Sequence, residues 1–162
     1  MPKGTLLDLV DELNTATLMI SLRSRELTKY VALAMLTYLV RVTPADTSTA
    51  ISNWQIAVGG TGQGAEPLPA YAPGQGGNTR EVSAQAAIAA AREALKGAQP
   101  RKALAIINRV PYIKRLNDGS SSQAPAGFIE EAILVGRNAA KTYNFHLRLK
   151  ADIRRGTFTP DG

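Results

Sequence analysis

The chain has 162 residues, 44% of them hydrophobic and 20% charged, with no cysteine, one histidine and a formal net charge of +6. That composition suits one globular domain, removes disulfides and thiolate chemistry, and leaves His146 without partners for a metal cluster or an ordinary Ser–His–Asp arrangement. Aromatic residues are only 6%, so the core of an isolated subunit is thin, which is common where neighbouring copies complete the burial.

The start, Met1-Pro2-Lys3-Gly4, lacks a secretory layout, and no apolar run reaches the ~18 residues of a membrane span. The expected compartment is the cytoplasm, or a particle assembled there. Charge is uneven along the chain. Asp8, Asp11 and Glu12 dominate the start, and Arg137, Lys141, Arg148, Lys150, Arg154 and Arg155 dominate the end. The pattern fits a head-to-tail contact between subunits and a nucleic-acid face equally.

From Thr5 to Arg41 nothing breaks a helix. Leu6, Val10, Leu13, Thr17, Ile20, Ser24, Leu27, Val31, Ala34 and Tyr38 recur at alternating four- and three-residue steps, one continuous stripe. At 1.5 Å per residue the helix is roughly 55 Å long, more than a domain of this size covers alone. Polar Thr17 and Ser24 interrupt the stripe, which favours packing on a sheet and on neighbours over a self-sufficient coiled coil. Pro44 ends the helix, because Thr43 before it is pushed out of helical geometry.

A strand is expected over Thr49–Val58, with Ala50, Trp54, Ile56 and Val58 on the inner face and Trp54 as core anchor. Residues 59–78 hold seven glycines and three prolines, a loop expected to lie outside the core. Asn78-Thr79-Arg80-Glu81 has the form of a capping box. It opens an alanine-rich helix to Lys96 with Ala84, Ala87, Ile88, Ala91 and Leu95 inward. A second strand follows over Lys102–Arg109 with Leu104 and Ile106 inward. A short turn around Tyr112–Asn117, a loop over Asp118–Ala124 and a last helix from Pro125 to Lys150 complete a single domain spanning 1–153. Residues 154–162 are expected to form a flexible tail.

Little here carries catalysis. Gly60-Thr61-Gly62-Gln63-Gly64-Ala65 matches a loose dinucleotide pattern, but Glu66-Pro67-Leu68-Pro69 follows and opens no long helix for a pyrophosphate to sit on. No lysine completes a P-loop. Glu130 and Glu131 are adjacent on a helix and point about 100° apart, so they do not converge. Asp46 fits an Asx turn. No enzymatic activity, cofactor or metal is expected.

Two stretches together resemble a known family. Thr43-Pro44-Ala45-Asp46-Thr47, followed by Asn53-Trp54-Gln55, resembles the "TPVDTG…NW" start of tail-completion and neck proteins of tailed bacteriophages. The run Val110-Pro111-Tyr112-Ile113-Lys114-Arg115-Leu116-Asn117-Asp118-Gly119, then Ser122-Gln123-Ala124-Pro125-Ala126-Gly127-Phe128, resembles the same family's "YIxxLNxGxSxQAPxGF" block. The order of elements matches from about Leu27 to Ala140. Ser48 departs from the pattern, since glycine is usual there, and a less tight turn is expected.

The resemblance implies an α+β fold, a small mostly antiparallel sheet flanked by a long N-terminal helix, an Ala-rich middle helix and a C-terminal helix. It implies a structural virion protein forming a ring at the head–tail junction or tail end, with its own copies, other connector and tail proteins, and DNA in the lumen as partners. Tyr112, Leu116, Asn117, Gly119, Ser122, Gln123, Pro125, Gly127 and Phe128 are the expected subunit or partner interface. Gly119 suits a loop needing positive φ. Gly127, placed in the first turn of the last helix, implies close approach of another backbone there, and Ala124 is a poor N-cap for that helix. The competing reading is a basic nucleic-acid-binding module, which a steep fall of DNA affinity with salt would support.

Overall fold

The computed structural model describes residues 6–60, 66–73, 77–99 and 102–143. Most of the Gly60–Ala65 pattern, the basic run beyond Tyr143 with His146, and the expected tail 154–162 lie outside the described residues. The elements are helix α1 (Leu6–Val42), helical turn α2 (Thr49–Ser52), strand β1 (Trp54–Val58), helix α3 (Gly77–Lys96), strand β2 (Leu104–Asn108), helical turn α4 (Ile113–Asn117) and helix α5 (Phe128–Thr142). The fold is α+β, with the helices packed on a two-stranded antiparallel sheet. Trp54 pairs with Asn108, Ile56 with Ile106 and Val58 with Leu104.

The core lies where the second half of α1 meets α3, α5 and β1. Leu36, Leu39 and Val40 from α1 are buried with Ile51, Trp54 and Phe128. From α3 come Ala84, Ala87, Ala91 and Leu95, with Ile88 against the cluster's edge. The small alanine side chains let α3 lie close to α1 and the sheet. Leu104 and Ile106 pack on the cluster from β2.

Helix α5 runs antiparallel to α1. Burial, and next the charge of Glu131, raise the Tyr38 phenol above its ordinary range. Further along, Gly136 faces Met35 and Val31, and at the end the Tyr143 and Tyr30 rings lie 5.0 Å apart. A Cβ on Gly136 would meet Met35 Sδ at 2.6 Å, so glycine is what lets the two helices approach here.

Three sequence expectations change. Residues Thr49–Ser52 form a helical turn, not the first half of a strand. Ser52 Oγ donates to the Ser48 carbonyl at 2.9 Å and Asn53 Nδ2 to the Thr49 carbonyl at 2.8 Å, local bonds that compete with a ladder. Helix α3 already includes Gly77, so Asn78 lies in its first turn, and the Glu81 carboxylate accepts from Gln85 Nε2 at 2.8 Å. Helix α5 starts at Phe128 and stops at Thr142, with Tyr143 extended. Gly127 precedes it at φ +79°, and a Cβ there would meet only Glu130 Oε2, at 3.7 Å. Glycine serves backbone conformation at that position, not close approach.

The Gly/Pro segment also differs from a detached loop. Leu68 and Tyr71 are exposed, so it adds no large apolar group to the core. Its backbone is nevertheless fastened to buried side chains. Asn53, fully buried, accepts the Leu68 N–H and donates to the Leu68 carbonyl, both at 2.8 Å. Ser52 Oγ accepts the Tyr71 N–H and Ser83 Oγ the Ala72 N–H.

Candidate functional site

The two sequence blocks, far apart along the chain, fold against each other. The segment from Thr43 to Thr49 leaves α1, whose last turn is closed by Thr43: its N–H and its Oγ1 both donate to the Leu39 carbonyl, at 3.0 and 2.6 Å. The Arg80 guanidinium also donates to the Arg41 carbonyl at that helix end. The chain then passes beneath the loop that follows α4, where the Ala45 N–H donates to Gln123 Oε1 at 3.0 Å. Between the two segments lies a cleft of about 190 Å³. Pro44, Asp46, Thr47, Ser48, Thr49 and Ala50 form one side, and Tyr112, Leu116, Ser121 and Gln123 the other.

Ser48 sets the shape of the first side. It stands at φ +59°, the one positive-φ residue other than glycine among those described, and is 2% exposed. Its carbonyl still accepts the Ser52 N–H at 3.0 Å, so the turn closes with serine in the left-handed conformation. Among the described residues its hydroxyl has no hydrogen-bond partner.

On the second side Tyr112 is 38% exposed. Burial, and then the negative charge of Asp46, push its phenol above the ordinary tyrosine range, so it remains a neutral hydrogen-bond donor and acceptor at physiological pH. The cleft therefore offers hydroxyls, an amide, a phenol and one carboxylate. No group of three or more His, Cys, Asp or Glu residues is arranged to hold a metal among the described residues. The chemistry on offer is hydrogen bonding, with one acidic group beside it.

Of the expected interface residues, the structure brings Tyr112, Leu116 and Gln123 into this cleft. Gly119, Ser122 and Pro125 lie on the exposed loop beside it, with Gly119 at φ +91°. Asn117 and Phe128 do not present side chains to a partner. Phe128 is fully buried in the core. Asn117 is 9% exposed and organises the start of α5. Its carbonyl accepts the Gly127 N–H at 2.7 Å, its Oδ1 the Ile129 N–H at 2.8 Å, and its Nδ2 donates to Glu130 Oε2 at 2.9 Å. An orphan N–H of the first turn is thus capped from α4, not by the residue before the helix. Gly127, in the left-handed conformation, makes that geometry possible. Within this chain Asn117 and Phe128 thus serve internal architecture and not an exposed contact surface, and Gly127 shapes the backbone between them.

Sequence reasoning missed Asp46, Thr47, Ser48, Thr49 and Ser121 as lining residues. Asp46 reads locally as an Asx turn, and nothing local indicates that this turn faces the second block. Among the described residues, no helix is long and apolar enough to cross a membrane. Comparison with protein-family models, curated proteins and solved structures finds no match for this chain.

Proposed function

We propose that this chain is a structural virion protein of a tailed bacteriophage, forming a ring at the head–tail junction or tail end. The observation that supports it most is the first half of α1. Every residue from Val10 to Leu18 is exposed, and Val10, Leu13, Leu18 and Ile20 are 44%, 59%, 41% and 64% exposed. An apolar arm of this kind is a surface made for burial by another subunit. The resemblance of the Thr43–Gln55 and Val110–Phe128 blocks to neck and tail-completion proteins supplies the kind of assembly. The cleft between those blocks serves as a socket for a segment of an adjoining connector or tail protein, with DNA passing through the ring.

Interrupting the coding sequence in the phage that carries it tests the reading. Electron microscopy of the lysate is expected to find DNA-filled heads and tails that do not join, or tails of abnormal length. Intact, infectious particles from the interrupted phage would contradict it.

A further inference from the structure

The exposed arm at the start of α1 is complementary to itself. Its stripe is the one α5 covers further along, where Gly136 of the antiparallel α5 lies against Val31 and Met35. Helix α5 ends at Thr142, the Tyr143 ring rests beside Tyr30, and the Tyr143 backbone is extended, off the helical line. From there towards the start of α1 the same stripe continues over Ile20 and Leu13, 64% and 59% exposed. Charges sort to the two ends of this stretch. Asp11 and Glu12 stand exposed at one end, with Lys3 and Asp8 before them in the sequence. Arg23, Arg25 and Lys29 stand at the other. There Glu26 bridges Arg25 and Lys29 at 3.3 and 3.4 Å, and Lys102 lines the same cleft as those two cations. One end is net acidic and the other net basic. The stretch between, Leu13 to Leu22, carries no charge.

A parallel pair of such helices sets acid on acid and base on base. An antiparallel pair sets each acidic end against the other copy's basic end. With Ala16 and Thr17 at the crossing, Leu13 of each copy comes beside Ile20 of the other, and the small central side chains let the helices approach. Thr17 and Ser21 do not oppose burial. Their hydroxyls donate to the Leu13 and Thr17 carbonyls of their own helix at 2.9 and 3.0 Å, so neither brings an unmet donor into the contact. We infer that in the free protein the arms of two copies pair antiparallel about a two-fold axis, each lying where α5 leaves the other's stripe. The contact is isologous, so it closes at two copies and does not propagate. It goes beyond the ring reading: the pair covers the arms before assembly, and a ring contact made by the same arm must displace it. Arms of about 20 Å of helix bury less than a standard interface, so the dimer depends on concentration.

Sedimentation velocity on the full chain over a concentration series tests this, with circular dichroism to check folding. Wild type is expected to pass from monomer to dimer as concentration rises, and Leu13→Asp with Ile20→Asp, both exposed positions, to stay monomeric. Asp11→Arg with Glu12→Arg sets positive against positive and should weaken the dimer about tenfold. Adding Arg23→Glu and Arg25→Glu to that variant restores opposite charges at both ends of an antiparallel pair and should recover the dimer. Raised salt should weaken the wild-type pair. Salt that tightens it, an acid-end reversal without effect, or a folded fourfold variant that stays monomeric would overturn the antiparallel pairing. Oligomers larger than two that depend on Leu13 and Ile20 would mean that the arm docks on another face of the next copy. A wild type monomeric throughout would mean that residues beyond Tyr143 or another protein cover it. Each of these overturns the inference and leaves the ring reading, which particle composition tests, standing.

Discussion

Trp54 and Thr43 are joined in the interior, where the indole Nε1–H donates to Thr43 Oγ1 at 2.8 Å. The same hydroxyl donates onward to the Leu39 carbonyl, so one buried chain of hydrogen bonds ties β1 to the last turn of α1. Trp54 is 4% exposed and Thr43 fully buried. Trp54→Ala is expected to cost about 3–5 kcal/mol, as for other buried aromatic truncations. Thr43→Val keeps the shape but leaves the indole N–H without an acceptor, at about 1–3 kcal/mol. Wild-type fluorescence should be blue-shifted. Emission at the wavelength of water-exposed tryptophan would contradict this arrangement.

The Asn117–Glu130 pair predicts a pH dependence. Hydrogen bonds from the Asn117 side chain and from its own backbone N–H hold the Glu130 carboxyl below the ordinary carboxylate range. A depressed folded-state value means the stabilisation is complete above the unfolded carboxylate's range and is lost as pH falls through the lowered folded value. Urea denaturation of wild type and Glu130→Gln should therefore differ most near neutral pH and converge in acid. A difference independent of pH would show that the charge plays no part.

Ser48 should be improvable. Its left-handed backbone costs a residue with a side chain roughly 1–2 kcal/mol, and its buried hydroxyl adds desolvation without a bond among the described residues. Ser48→Gly removes both and increases unfolded-state freedom, for a net gain of about 1 kcal/mol. Ser48→Val should lower the melting temperature. If Gly lowers it as well, the hydroxyl has a stabilising role that backbone strain does not explain.

Phe128 and Gln123 separate core from surface within one motif. Phe128→Ala opens a cavity and should cost about 3–5 kcal/mol, so impaired assembly in that variant would say nothing about an interface. Gln123→Ala removes one exposed hydrogen bond to Ala45, about 1 kcal/mol. It should leave a folded protein and, on the proposed virion role, weaken capture of adjoining virion proteins. Equal losses of melting temperature for the two would refute this division.

Replacing residues 59–78 with a short Gly-Ser linker should destabilise the fold, because it removes Leu68, Tyr71 and Ala72 as partners of buried Asn53, Ser52 and Ser83. Each buried polar group left unpaired costs about 1–3 kcal/mol. An unchanged melting temperature would mean that water replaces these bonds.

The long helix, the alanine face of α3 and the inward Trp54 and Ile56 were legible because helical and strand periods expose them directly. What local patterns did not show is where polar side chains reach across the chain. Asn53 reads as a turn residue and Asn117 as part of a motif, yet each satisfies backbone groups 12 to 15 positions away. The same holds for the cleft. Its two sides are visible separately as blocks of Pro, Asp, Ser and Gln, and only the Ala45–Gln123 bond reveals that they belong together.

If the proposed virion role holds, peptide mass spectrometry of gradient-purified, nuclease-treated phage particles, raised from cells carrying this gene, is the decisive measurement. Peptides of this chain are expected in the particles, at a copy number matching one ring, far below that of the major capsid and tail-tube proteins. Abundant protein in the infected-cell lysate with none in the purified particles would contradict it.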